Sequence, residues 1–327
     1  MPLAAPLSTA LPSLSSLPAL PPLPERRVQR VSLLMGGPSR EREVSLTSGE
    51  ACLSALRAAG YRVETLDPVG ALRDWTDALR AQQPEVVFNA LHGTFGEDGQ
   101  VQAILEQLGL RHTHSKLLAS ALAMDKPLAK QIFAAQGLSV AEDRRVTLAA
   151  LERDGDPLPR PFVLKPAQEG SSLGVTIVTE GENLDLTALA DFPSLMAEAY
   201  IEGRELTVSV MDGVALAVTE LRSRRRFYDY AAKYEEGETE HLCPAPLPAA
   251  ITAQALQAAT SAYTALGCRG LARADFRYDE RRALEDQLVI LEVNTQPGMT
   301  PLSLSPEQAR ARGLRFQDLC QWMVEVA

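Results

Sequence analysis

The sequence predicts an α/β lobe built on a parallel sheet, followed by two α+β lobes, and three observations carry that expectation. Strand-like apolar runs alternate with helical patterns from residue 28 to about 109. After Pro161 the strand-like runs follow one another across short turns, which predicts a largely antiparallel region. A single long helical pattern at 249–266 then precedes a last pair of strands. At 327 residues the chain is long enough for two or three domains, and its 46% hydrophobic content suffices for a sizeable core.

Taken in order, VQRVSLLM (28–35) is a β-rich run ending at Gly36-Gly37, and a helical stretch follows from about Glu41 to Ala59. Gly60 stands where a glycine ends a helix by adopting a left-handed conformation. YRVETL and EVVFNAL are the next strands, separated by a helical pattern at 71–82; helices at about 99–109 and 125–136 follow, the latter closed by Gly137. PFVLK, LGVTIV, SLMAEAYI, ELTVSVM and VALAVTEL are the later strands; GLARADFRY and QLVILEV follow the helix at 249–266, and a final helix is expected at about 314–326. Domain boundaries fall at 25–122, 123–202 and 203–327. Residues 1–24 carry no charged residue and a proline every few positions, which reads as a disordered extension or an over-called start rather than a targeting segment.

The net charge of −10 is a poor footprint for nucleic-acid binding. No apolar run reaches the ~20 residues that cross a bilayer, so no membrane span is expected. Cys52, Cys243, Cys268 and Cys320 are scattered without a CxxC pair, so a reducing, cytosolic compartment is expected.

Four segments carry candidate chemistry. GGPSREREVS (36–45) sets two glycines between a strand and a helix N-terminus, which suits an anion or a close-lying ligand; a structural turn explains it equally well. It matches neither the dinucleotide nor the Walker glycine pattern. ALHGTFGEDG (90–99) places His92 among glycines at the C-terminal edge of a parallel sheet, where ligands collect, with a solvated histidine in a plain loop as the competing account. In KPAQEGSSLGV (165–175), Lys165 ends an apolar strand and leads into a Gly/Ser loop, the chemistry of holding phosphates with an ammonium and bare backbone N–H groups. Glu292 and Asn294 share one face of a strand, and Asp275 lies on a strand able to pair beside them; two carboxylates and an amide oxygen suit Mg²⁺ completed by nucleotide phosphates. A surface strand with unrelated acids competes with that reading. His112-Thr-His114 could chelate a metal but reads rather as a surface turn, and Arg222 with Arg224 to Arg226 reads as a solvated loop rather than a nucleic-acid contact, with a phosphate-facing role for one arginine left open.

Read together, GGPSREREVSLTSG, ALHGTFGEDGQVQ, SALAMDK, KPAQEGSSLGV, FYDYAAKY and LEVNTQPGMTPLS resemble, in order, the motifs of D-alanine–D-alanine ligases of the ATP-grasp superfamily. The resemblance covers about residues 28–327 and implies two ATP-grasp lobes clasping ATP beside the N-terminal α/β lobe. It implies ATP as substrate, Mg²⁺ or Mn²⁺ in two sites, and leaves a monovalent cation open. The reaction it implies joins two D-alanines through a D-alanyl phosphate, for peptidoglycan precursors, in a cytoplasmic homodimer.

Residue by residue, the resemblance puts Lys126 and Lys165 on ATP phosphates. Glu198 and Glu205 match the positions that read adenine and ribose, with main-chain groups of Ala199 and Ile201; the family often has lysine at Ala199. Asp275, Glu292 and Asn294 match metal ligands. Glu41 would meet the first D-alanine's ammonium, His92 would orient that substrate, and Arg273 with the Gly298 N–H would stabilise the oxyanion. Lys233 would face the transferred phosphoryl, Ser303 and Leu304 the second carboxylate, and Glu41, Ser171 and Tyr234 would form a latching trio over the site. FYDYAAKY (227–234) is the expected lid, and Tyr234, where D-lactate-using relatives carry histidine, implies D-alanine as second substrate. Gln296 stands where serine is common. Other ATP-grasp carboxylate–amine ligases, a D-alanine–D-lactate ligase, or a non-catalytic nucleotide-binding regulator are the alternative readings.

Overall fold

A computed structural model describes residues 17–170, 173–182, 184, 186–223 and 239–327. Ser171, Lys233, Tyr234 and the expected lid at 227–234 lie outside the described residues. The N-terminal part alternates β1 (Arg30–Leu34), α1 (Arg42–Ala58), β2 (Arg62–Leu66), α2 (Leu72–Ala81), β3 (Val86–Asn89) and α3 (Gln100–Gln107). Its sheet is parallel, in the order β2-β1-β3. Both faces are covered: Val31, Leu33, Val86 and Phe88 pack with Cys52 and Leu56 of α1, while Leu34 and Val87 pack with Trp75, Leu79, Val101 and Leu105. Helix α1 ends as its sequence requires, with Gly60 at φ +91° and the Tyr61 N–H donating back to the Leu56 carbonyl at 3.1 Å.

Two further helices, α4 (Leu117–Met124) and α5 (Lys126–Ala135), lead into a four-stranded antiparallel sheet of β4 (Asp143–Val146), β5 (Phe162–Pro166), β6 (Thr176–Val178) and β7 (Leu195–Ala199), in the order β4-β7-β5-β6. Helix α6 (Leu148–Asp154) contributes Leu151 to its core. The Asp125 side chain caps α5 by accepting the Leu128 N–H at 3.1 Å.

The last part is a five-stranded antiparallel sheet, β10-β9-β8-β11-β12, formed by β8 (Arg204–Met211), β9 (Val214–Ser223), β10 (Thr239–Leu242), β11 (Leu271–Tyr278) and β12 (Leu288–Asn294). One face packs on α7 (Ala249–Ala265) through Val208, Ala274, Phe276, Ile290, Ala255 and Ala259. Helices α8 (Leu304–Ala311) and α9 (Phe316–Glu325) follow, and Leu319, Trp322 and Met323 of α9 join the core beneath the parallel sheet. The Glu325 carboxylate accepts the Arg27 N–H at 2.9 Å and the Tyr61 hydroxyl at 2.7 Å.

Part of the expected disordered extension departs from that reading. Residues 17–24 run along α8 and α9: Arg312 donates to the Pro18 carbonyl at 2.5 Å, Gln321 to the Pro24 carbonyl at 3.0 Å, and Leu20 packs on the core. Prolines spoil helices but not an extended docked segment, whose carbonyls remain free to accept. Among the described residues no helix is long and apolar enough to cross a membrane.

Candidate active site

Antiparallel register builds the floor. Across β11 and β12, Arg273 stands opposite Asn294 and Asp275 opposite Glu292, so four polar side chains form a square on one face. The intervening Ala274 and Val293 point the other way, into the core on α7. Arg273 grips Asp275 with two 2.8 Å hydrogen bonds, and the Thr207 hydroxyl donates to the same carboxylate at 2.6 Å. Among the described residues no cluster of three or more His, Cys, Asp or Glu has metal-binding geometry. The square offers two carboxylates and one amide, a hard-oxygen set that suits a cation sharing its remaining positions with phosphate and water.

Two lysines overhang this floor. Lys126, at the start of α5, donates to the Glu169 carbonyl at 2.5 Å and lies 3.4 Å from Glu292. Lys165, at the end of β5, donates to Glu198 at 2.6 Å. Sequence reasoning missed another lysine, buried behind Glu198: Lys130, one turn along α5 from Lys126, donates to the other Glu198 oxygen at 2.5 Å. An i, i+4 lysine looks like a solvated helix face, and only the buried carboxylate on β7 reveals it otherwise. Burial opposes the Glu198 charge, yet Lys165 and Lys130 hold its pKa below the ordinary carboxylate value. Burial likewise opposes the charge on Lys165, and the Glu198 and Glu292 carboxylates outweigh it and raise its pKa.

The other end is assembled by α1. Glu41 precedes the helix and is buried; Ser45 and Ser48 follow at i+4 and i+7 on the same face. The Ser45 hydroxyl accepts the Gly36 N–H and donates to the Ala90 carbonyl, each at 2.8 Å. His92 is held at both nitrogens, by Glu97 at 2.8 Å and by the Ser48 hydroxyl at 3.1 Å, and Ser48 also accepts the Met299 N–H at 3.3 Å. A Cβ at Gly93 or Gly170 would lie 2.9 Å or 2.5 Å from the Glu41 carboxylate, so glycine keeps room for that side chain. Thr300 and Ser303 close the following turn, the Ser303 hydroxyl accepting the Thr300 N–H at 2.9 Å.

These residues line two adjoining cavities. The larger, of about 430 Å3, is bounded by Lys165, Glu198, Ala199, Ile201, Glu205 and Asp275, and is the size of a small-molecule site. The smaller, of about 80 Å3, is bounded by Glu41, His92, Asn294, Gly298 and Ser303. Lys126, Arg273, Glu292 and Leu304 face both. Every sequence-derived candidate among the described residues therefore borders one cavity or the other. Two main-chain groups are already engaged: the Ala199 N–H by the Glu142 carbonyl at 2.8 Å and the Ile201 carbonyl by Arg277 at 3.1 Å. Glu205 pairs with Arg277 at 3.3 Å.

Two expectations are corrected. His112, Thr113 and His114 form no surface turn but are buried, threaded between β3 and the loop before β11, where Arg269 donates to the His112 carbonyl at 2.6 Å. Their polarity suggested exposure, whereas inside the fold His112 Nδ1 meets the Thr113 carbonyl and His114 Nδ1 the Thr113 hydroxyl, each at 3.1 Å. Arg222 lies within β9 rather than a loop and pairs with Glu220 at 3.1 Å; Arg224 to Arg226 lie outside the described residues.

A family profile described as D-ala D-ala ligase C-terminus matches residues 133–325. The D-alanine–D-alanine ligase of Granulibacter bethesdensis is 52% identical over 303 residues, covering 92% of this chain and 98% of that protein. That of Gluconobacter oxydans is 50% identical over 303 residues, covering 91% and 99%. Among solved structures, Bacillus anthracis D-alanine–D-alanine ligase complexed with ATP superposes with a TM-score of 0.74 at 30% identity, covering 92% of this chain and 97% of that one. The VanG D-Ala:D-Ser ligase of Enterococcus faecalis gives 0.74 at 26% identity, covering 92% and 99%. The chain belongs to the D-alanine–D-alanine ligase family and has the ATP-grasp fold.

Proposed function

We propose that this chain joins two D-alanines into D-alanyl-D-alanine at the expense of ATP, for peptidoglycan precursors. The observation that carries the reading is the shared wall: Lys126, Arg273 and Glu292 face both a nucleotide-sized cavity and a small polar one. A triphosphate tail and a small zwitterion held on either side of that wall bring a carboxylate to a γ-phosphoryl group.

In the larger cavity, Lys126 and Lys165 take the phosphates, Glu198 and Glu205 meet adenine and ribose, and the Ala199 carbonyl and Ile201 N–H remain for the base edge. Asp275, Glu292 and Asn294 fit a divalent cation, Mg²⁺ or Mn²⁺ in two sites, which when bound neutralises phosphate charge. In the smaller cavity, Glu41 accepts the first D-alanine's ammonium and His92, fixed by Glu97 and Ser48, orients it. Its carboxylate oxygen attacks the γ-phosphorus; the bond to the β-phosphate oxygen breaks and ADP leaves. The second D-alanine, its carboxylate on Ser303 and Leu304, attacks the acyl carbon through its neutral amine. Arg273 and the Gly298 N–H stabilise the oxyanion, and inorganic phosphate departs as the amine's extra proton is lost. By the family resemblance, Lys233 would face the transferred phosphoryl, and Ser171 and Tyr234, like it outside the described residues, would latch to Glu41 and exclude water from the acyl phosphate. A cytoplasmic homodimer completes the reading.

The test is phosphate release with ATP and Mg²⁺ across D-alanine, D-serine, D-lactate and L-alanine as second substrates. D-alanine alone supporting full release is the expected result. Faster turnover with D-serine or D-lactate near neutral pH would move the chain to another ligase of the superfamily, and no phosphate release with any of them would leave a nucleotide-binding regulator.

A further inference from the structure

The lysine that sequence reasoning missed has no role in the reaction just described, and its surroundings are unusual. Lys130 is 1% exposed, and its ammonium meets the Ala141 carbonyl at 2.7 Å, Asp143 at 3.1 Å and Glu198 at 2.5 Å. Three partners for three N–H donors leave it nothing for a ligand. Lys165 differs: it borders the larger cavity, and the one hydrogen bond of its ammonium among the described residues goes to Glu198. A triphosphate that draws Lys165 toward itself would weaken that bond, while Lys130 has no reason to move.

We infer that Lys130 is a specificity-determining positioning residue, which keeps Glu198 an ionised, acceptor-only group and so makes the larger cavity select adenine over 6-oxopurines. The inference rests on the reading that Glu198 faces the base. Adenine presents an amino donor at its sixth position, whereas guanine and hypoxanthine present a carbonyl there. An ionised carboxylate can only accept, so it pairs with the amine and repels the carbonyl; a protonated one gains an O–H and tolerates it. Glu198 is 3% exposed, and burial favours the protonated form. A permanently anchored ammonium opposes that, consistent with the depressed pKa of Glu198.

The experiment compares kcat/KM for ATP, GTP and ITP, at saturating D-alanine and Mg²⁺, in the wild type, Lys130→Met, Glu198→Gln and the double variant. Lys130→Met should lower the ATP-over-GTP and ATP-over-ITP ratios by about tenfold or more, chiefly through KM for ATP, with kcat within about threefold. A merely structural loss would reduce all three nucleotides together and leave the ratios unchanged. Ratios that fall in Glu198→Gln but not in Lys130→Met overturn the inference and leave the base-facing role of Glu198 standing. Ratios unchanged in both overturn that role, and the inference with it. If Lys130→Met does not fold, the double variant, which removes both buried charges, decides: ratios equal to those of Glu198→Gln support action through Glu198, and a further drop overturns it.

Discussion

Asn89 at the end of β3 and Gln296 beyond β12 meet side chain to side chain, the Asn89 amide donating to the Gln296 carbonyl oxygen at 2.8 Å across 207 residues of sequence. The Gln296 amide in turn donates to the Leu91 carbonyl, and its backbone N–H donates to the Asn294 side chain at 2.8 Å. One buried amide therefore ties the strand carrying Glu292 and Asn294 to the loop carrying His92.

Replacing that residue by alanine strips partners from the Asn89 amide and the Leu91 carbonyl in a buried setting. Gln296→Ala should lose about 1–3 kcal/mol of stability and raise KM for D-alanine more than KM for ATP. Urea unfolding with steady-state kinetics checks both; unaltered values for both would make the tie ornamental. Serine is too short to span both partners and should behave alike.

Gly170 offers a purely steric test. Its Cβ would press on the Glu41 carboxylate from 2.5 Å, and no left-handed backbone strain is involved. Gly170→Ala should raise KM for D-alanine on the order of tenfold, since displacing one well-packed group costs about 1–3 kcal/mol. A D-alanine KM equal to that of the wild type would separate Glu41 from the ammonium.

His114 gives a pH test. Burial lowers its pKa to about 3, from an ordinary value near 6.5. Between those values the unfolded chain binds a proton that the folded chain does not, so stability falls as pH drops from about 6.5 toward 3. The left-handed φ of +66° at this position tolerates asparagine. The decline in thermal midpoint from pH 7 to 4 should be shallower in His114→Asn than in the wild type; parallel slopes would place the acid sensitivity elsewhere.

Glu292 carries the cation assignment. Glu292→Ala should reduce turnover by on the order of a thousandfold or more with an unchanged far-ultraviolet spectrum. Turnover near that of the wild type would remove the metal role from this strand.

Local patterns showed much of this architecture: period-2 alternation in LARADFRY, the glycine after α1, and the acid–amide pair on β12. Other elements were opaque for physical reasons. β4 is four residues, DRRV, too short and charged to show a strand pattern, and α8 contains Pro306 near its start, which hid a helix that tolerates proline in its first turn. Spacing along a strand could nominate Glu292 and Asn294, but only the register across two strands sets Asp275 opposite Glu292. The roles of Lys130 and Gln296 were illegible because their partners, Glu198 and Asn89, come from distant elements.

The wall common to both cavities has a thermodynamic corollary. Lys126, Arg273 and Glu292 present their side chains to both cavities, so a shift toward an occupant of one alters the lining of the other. If the two cavities hold nucleotide and amino acid as proposed, any factor by which one ligand changes the other's affinity must be the same in both directions, whichever arrives first.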